Sequence, residues 1–202
     1  LGNLNEFECK DRVEFDQLRK IDQYALSKLS GTTAEVIENY KSHNFNRVLK
    51  SLNNHMNVEL SSVYFDIVKD RLYADSKEGL SRRSAQTVLV EILRTYSALF
   101  APITPLITQE VWDFTPEWIT GGTMNPLLNG IPGELPSYRN VDLEAKFEKI
   151  WEIKDKTKLL MEEGRKAKNI RSSLEADVYV KVPEKGKLSS LLAEFEGELE
   201  DI

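Results

Sequence analysis

Lys69, Arg71 and Tyr73 close one long helical pattern, and Arg82 and Arg83 open the next, Arg82 coming nine residues after Tyr73. These side-chain types grip unpaired nucleic acid: long cations reach phosphate oxygens, and an aromatic ring stacks on an exposed base. The same set reads equally as structure. Arg71 lies close to an apolar stripe, and pairing with Asp66, Asp70 or Glu91 would give it a role in packing alone. Asn3 and Asn5 carry amides that donate and accept, which suits base edges and also suits the capping of a helix. Residues 146–171 hold nine basic side chains against five acidic ones and end in R-K-A-K-N-I-R. Lys166, Lys168 and Arg171 are the phosphate candidates there because they approach a helix end, with a solvated helix face as the alternative.

Other chemistry is thinly represented. Asp66 and Asp70 stand four apart, a carboxylate pair that could serve acid–base or metal chemistry, but Lys69 and Arg71 adjoin them and salt bridging is the simpler reading. His43, His55 and the single Cys9 cannot assemble a Cys/His zinc cluster, so no structural metal is expected. One cysteine also excludes an internal disulfide. The two histidines read as surface or interhelical residues, and Trp112, Trp118 and Trp151 as core or loop anchors, Trp118 with the option of exposure.

The element that must position these groups runs over residues 44–73. Phe45, Val48, Leu49, Leu52, Met56, Leu60, Val63, Tyr64, Ile67, Val68 and Leu72 recur at spacings of three and four, one stripe of an α-helix roughly 40 Å long at 1.5 Å per residue. Such a stripe needs several partner helices. Asp11 is expected to cap a first helix through Leu29 or beyond, with Gly31 a weak or kinked point inside its continuing pattern. A third helix is predicted over 81–100, apolar on two sides and therefore central. Thr104 and Pro105 start a fourth, carrying Ile107, Val111 and Phe114 toward the core.

From 115 to 140 the chain holds four of its seven prolines and four of its ten glycines without apolar period, a connection or a loop wrapped over the bundle. A helix from Asp142 to about Lys168 follows, carrying Leu143, Phe147, Ile150, Trp151, Leu160 and Met161. Strict alternation over 173–182 predicts a half-buried strand, and Pro183 and Gly186 lead into a last helix near 188–199. The expected organisation is mainly α: a helical bundle over 1–118, an irregular Pro/Gly-rich connection over 119–141, and a small helix-strand-helix (α/β) appendage over 142–202.

The 202 residues suffice for a substantial core, and 41% hydrophobic with 30% charged residues is the composition of a globular domain. The most apolar stretch, 88–107, is interrupted by Glu91, Arg94, Pro102 and Pro105, so no membrane span is expected. A formal charge of −6 argues against indiscriminate polyanion binding, but Glu194, Glu196, Glu198, Glu200 and Asp201 concentrate acidity at one end and leave room for a basic face elsewhere. The start L-G-N-L-N-E-F lacks an initiator Met, a basic n-region and an apolar h-region, and reads as a cut through a longer polypeptide with no targeting segment.

Two strings carry a resemblance. L-S-x-x-Y-x-D-x-x-K-D-R-L-Y over 60–73, followed by R-R-S-A-Q-T-V-L over 82–89, resembles the region after the catalytic core of isoleucyl-tRNA synthetase, the helical anticodon-binding domain of a class I enzyme. A-P-I-T-P-L-I-T-Q-E-V-W over 101–112 resembles that family's fourth bundle helix, and S-S-L-E-A-D-V over 172–178 its junction into a C-terminal subdomain. The likeness covers about residues 1–182. It implies binding of the anticodon stem-loop of tRNA(Ile), within an enzyme that joins isoleucine to that tRNA using ATP, and it implies catalytic and editing domains in the same polypeptide as partners. The Asn3, Asn5, Lys69, Arg71, Tyr73, Arg82, Arg83, Lys166, Lys168 and Arg171 candidates would then face that RNA. Neither H-I-G-H, K-M-S-K-S nor a Gly-rich phosphate loop occurs, so no catalysis is expected of this stretch, and no cofactor; ATP and Mg belong to the catalytic core of the longer protein. The R-R-S-A-Q form resembles the bacterial or organellar branch, which implies a bacterial cytoplasm or the mitochondrial matrix. Alternatives are a sister synthetase for valine, leucine or methionine, and a helical protein-interaction module that binds no RNA.

Overall fold

The computed structural model describes residues 1–130, 135–172, 175–182 and 186–199. Among them the regular structure is helical: α1 (Lys20–Lys41), α2 (Phe45–Asn54), a π-helical segment (His55–Tyr64), α3 (Phe65–Ala74), α4 (Leu80–Phe100), α5 (Pro105–Asp113), α6 (Glu117–Thr120), α7 (Val141–Lys166) and α8 (Lys187–Glu194). Two compact units emerge, Leu1–Asn140 and Val141–Ile202. The first takes in the Pro/Gly-rich stretch up to Asn140.

In the first unit α1, the α2–π–α3 spine and α4 pack on one another, with α4 at the centre. Its buried residues follow from a sequence apolar on two sides: Ala85, Val88, Ile92 and Leu99 on one, Val90 on the other. One core patch joins Val36 of α1, Val48 and Leu52 of α2 and Leu99 of α4. Another seats Leu4 and Phe7 of the N-terminal segment on Val90 and Ile119.

The spine is continuous but changes period. A π-helix inserts one extra residue per turn, so the face that points inward shifts along the sequence. Val48, Leu52 and His55 keep ordinary helical spacing and face inward, His55 at 2% exposed; the next buried position, Leu60, comes five residues on within the π-helical segment, and Met56, expected on the buried stripe, is 38% exposed. Phe45 and Leu49, also expected inside, lie exposed on the first turns of α2. The first helix begins at Lys20 and not at Asp11, which instead accepts the Glu8 N–H in a 3-10 turn (Cys9–Asp11). α1 runs unbroken through Gly31. That glycine leaves the space that the Arg139 guanidinium fills, where a Cβ would collide with Nη1, and Nη1 donates to the Ser27 carbonyl at 3.3 Å. The Ser30 hydroxyl donates to Leu135 O at 2.6 Å, and the Asn140 N–H to Ser27 Oγ at 2.8 Å, so residues 135–140 are strapped along α1.

In α5 the buried residues are Thr108 and Trp112, one position beyond those expected, and Ile107 and Phe114 are exposed. Trp112 is fixed by donation from Nε1 to Thr123 O at 2.9 Å. Trp118 is half-buried, tilted against Phe7.

In the second unit Leu143, Phe147 and Ile150 of α7 are buried, and the Phe147 ring meets Phe195 edge-on at 5.1 Å. Leu160, expected in the core, is 68% exposed. The expected strand does not form over 175–182, which is irregular with Val178, Tyr179 and Val180 exposed. A lone strand has no ladder to satisfy its amides, and alternation alone does not supply one. Ser173, Leu174, Pro183, Glu200 and Asp201 lie outside the described residues.

Burial lowers the pKa of His55 to about 4, with the Lys28 charge acting in the same direction. The unfolded chain therefore takes the proton near 6.5 and the folded one only near 4, so His55's contribution is complete above 6.5 and is lost as pH falls toward 4. Chemical denaturation is expected to show about 2 kcal/mol lost from this residue between pH 8 and pH 5, and His55→Leu should flatten that slope. An unchanged slope in the variant would place the proton uptake elsewhere.

Candidate nucleic-acid interface

Arg71 is the best-determined of the sequence candidates, and it is not at the surface. Its side chain is 5% exposed, and Nη2 meets Asp22 Oδ2 at 2.6 Å while Nη1 reaches Oδ1 at 3.1 Å. Asp22 is wholly buried and also accepts from the Tyr64 hydroxyl at 2.8 Å and from Ser84 Oγ. Arg71 then holds Ser81, through Nε to Oγ at 3.0 Å and Nη2 to the carbonyl at 2.6 Å. Burial, reinforced by the Asp22 charge, pushes the Tyr64 phenol far up, so it stays a neutral donor. The partner is none of the acids expected from the sequence; it is 49 residues away on α1. Arg71 therefore leaves the set of RNA-facing candidates, because its guanidinium is desolvated and committed.

Arg83 is similarly engaged. Nη1 donates to Glu6 O and to Gln86 Oε1, both at 3.1 Å, Nη2 stands 3.6 Å from Asp11, and the guanidinium lies over the Phe7 ring at 5.4 Å. Gln86, fully buried, donates to Asn3 O at 2.8 Å. Arg83 and Gln86 together clamp residues 3–11 onto α4. Arg82 differs: Nη1 makes one long bond, to Asp75 O at 3.4 Å, and Nε is buried without a hydrogen-bond partner among the described residues.

The clamp holds the N-terminal 3-10 turn (Gly2–Leu4) beside the spine. Asn3, Lys69 and Tyr73 line one cleft of about 470 Å³, together with Leu1, Leu4, Met56, Leu60, Phe65, Leu72, Leu89, Ile92, Leu93 and Tyr96. Its polar groups are few, and Tyr73 is 76% exposed. Lys69 pairs with Asp66 at 2.7 Å, which holds its pKa above the ordinary value and keeps the ammonium charged. An exposed pair of this kind is worth little and exchanges readily for a phosphate. Asn5 follows the turn, exposed, its N–H on Gly2 O at 3.3 Å.

In the second unit Lys166 ends α7 exposed, Lys168 is exposed in a left-handed conformation (φ 58°), and the Arg171 N–H donates to Glu175 Oε2 at 2.9 Å. The structure thus groups Asn3 with Lys69 and Tyr73. Met56, Phe65 and Leu93 are cleft residues that sequence reasoning took for core or passed over. Gln86 stands in the R-R-S-A-Q string without a role that spacing could assign. Among the described residues no group of three or more His, Cys, Asp or Glu could hold a metal, and no helix is long and apolar enough to cross a membrane.

Arg83→Ala should free the N-terminal segment from α4. Hydrogen exchange is expected to quicken over residues 3–11 by about tenfold, matching roughly 1–2 kcal/mol of lost hydrogen bonds, with α1 unchanged. Equal protection in the variant would show that Leu4 and Phe7 hold the segment unaided.

Comparison with known proteins shows the family. Residues 22–180 match the family model described as the anticodon-binding domain of tRNA ligase. The chain is 39% identical over 199 residues to the mitochondrial isoleucine–tRNA ligase of Schizosaccharomyces pombe, covering 95% of this chain and 20% of that protein. It is 36% identical over 185 residues to isoleucine–tRNA ligase of Persephonella marina, covering 91% of this chain and 20% of that protein. With the same ligase from Brachyspira hyodysenteriae, identity is 36% over 203 residues, covering 100% of this chain and 22% of that protein. The chain spans about a fifth of the length of these relatives. With the family model matched from α1 into the second unit, the chain belongs to the family of tRNA ligase anticodon-binding domains.

Proposed function

We propose that this chain is the part of an isoleucine–tRNA ligase that recognises the anticodon stem-loop of tRNA(Ile), and that the first unit does so on the face around its apolar cleft. The observation that carries the reading is the meeting of Asn3, Lys69 and Tyr73, distant in sequence, on one cleft. They supply an amide for a base edge, a cation for a phosphate and an exposed ring for stacking. Arg82 and Asn5 extend the set on the same unit, and Lys166, Lys168 and Arg171 offer further cations in the second. The relatives' names and the family match support the choice of tRNA and of isoleucine.

On this reading the longer protein joins isoleucine to the tRNA, and ATP and Mg²⁺ act in its catalytic part, while the present stretch contributes recognition only. Its setting would be a bacterial cytoplasm or the mitochondrial matrix; the Schizosaccharomyces pombe relative is named as mitochondrial.

Fluorescence anisotropy of a labelled hairpin bearing the isoleucine anticodon, against the same stem with the anticodon replaced, tests the reading across a salt series. Tighter binding of the isoleucine hairpin is expected, with affinity falling linearly in log–log form as salt rises. Lys69→Ala should weaken both hairpins alike and reduce the salt slope by about 1, whereas Arg71→Met should leave the slope unchanged in the folded protein. Equal affinity for the two hairpins would remove the anticodon from the role of ligand.

A further inference from the structure

We infer that His55 holds a single buried water molecule, shared with Glu59 of the π-helical segment and Lys28 of α1, which joins that segment to α1 through hydrogen bonds. The inference goes beyond the RNA-binding reading and does not depend on it. His55 is 2% exposed, and its two ring nitrogens stand in different surroundings. Nδ1 lies 2.8 Å from the Tyr96 hydroxyl of α4, whereas Nε2 is buried with no hydrogen-bond partner among the described residues. Burial and the Lys28 charge keep the imidazole neutral at physiological pH, so Nε2 carries either an N–H to give or a lone pair to fill. Buried polar atoms are partnered in folded proteins, by ordered water where the protein itself supplies no group.

Beside the ring is a cavity of about 10 Å³, walled by Tyr24, Ala25 and Lys28 of α1, by His55 and Glu59 of the spine, and by apolar side chains. That is room for one water and for nothing larger. The polar walls select among occupants of this size. Lys28 Nζ pairs with Glu59 Oε1 at 3.0 Å, and the Tyr24 hydroxyl donates to Glu59 Oε2 at 3.4 Å. An anion would meet the Glu59 carboxylate, a cation would meet the Lys28 ammonium, and an apolar guest would leave Nε2 unsatisfied. Water gives and accepts at once, so it serves His55 in either tautomer. A carboxylate accepts at about four positions, which leaves Glu59 room for one more donor. Cavities that stay dry are lined by apolar groups alone, and this one is not.

A crystal structure of the 202-residue chain with resolved waters, combined with oxygen-17 relaxation dispersion of the solvent, which counts long-lived internal waters, tests the inference. Density is expected about 3 Å from His55 Nε2 and within hydrogen-bond reach of a second polar group. His55→Phe removes the nitrogen and keeps a ring, and Ala25→Ser puts a hydroxyl into the same cavity. Each folded variant should lower the dispersion amplitude by about one water. Should His55→Phe fail to fold, Ala25→Ser decides, since it replaces the water without removing a contact. A wild-type cavity without density, a His55 Nε2 bonded directly to a protein group, or an unchanged amplitude in folded Ala25→Ser would each overturn the inference.

Discussion

The placement of α3, whose outer side carries Lys69 and Tyr73 into the cleft, depends on one buried ion pair, Arg71 with Asp22. A wholly buried carboxylate and a guanidinium 5% exposed would each cost several kcal/mol to desolvate alone. They persist because the remaining valences are filled: Tyr64 and Ser84 donate to Asp22, and Arg71 turns its other N–H groups on Ser81. The network ties α1, the far end of the spine and the start of α4 at one point. Hydrophobic contact would bring these helices together at several registers; the directional bonds select one. That register sets where Lys69 and Tyr73 emerge, on the opposite side of α3 from the pair.

The R-R-S-A-Q string shows how adjacent residues divide labour. Ser84 completes the buried network, while Arg83 and Gln86 reach back over the N-terminal segment and hold it against α4. Arg82 remains with one long contact to the preceding loop. A residue that holds a recognition segment in place governs binding as surely as one that touches the ligand, and the two roles look alike in a list of basic residues.

The helices themselves were legible because apolar spacing over 20 or more residues leaves few alternatives: the spine, α4 and α7 lie where periodicity put them. The resemblance also named the right family. What escaped was tertiary. Asp22 sits 49 positions from Arg71, and no local rule favours it over Asp66 or Asp70. The π-helical segment carries the inner face five residues on, from His55 to Leu60, which a constant period of 3.6 cannot foresee. In α5, Ile107 and Phe114 look like core but lie outside, with Thr108 and Trp112 inside because Trp112 finds Thr123 O. The alternation after residue 174 has the right chemistry for a strand and no partner among the described residues. Of the candidate site, the surface members Asn3, Lys69 and Tyr73 were readable by type; that they share a cleft was not.

The most direct measurement is hydrogen exchange of the chain with and without a saturating hairpin bearing the isoleucine anticodon, resolved to short peptides. Slowed exchange concentrated over residues 1–7 and 65–75, with α5 and α6 unchanged, is the expected pattern. Protection confined to α5 and α6, with residues 1–7 and 65–75 exchanging as in the free chain, would contradict recognition at the cleft.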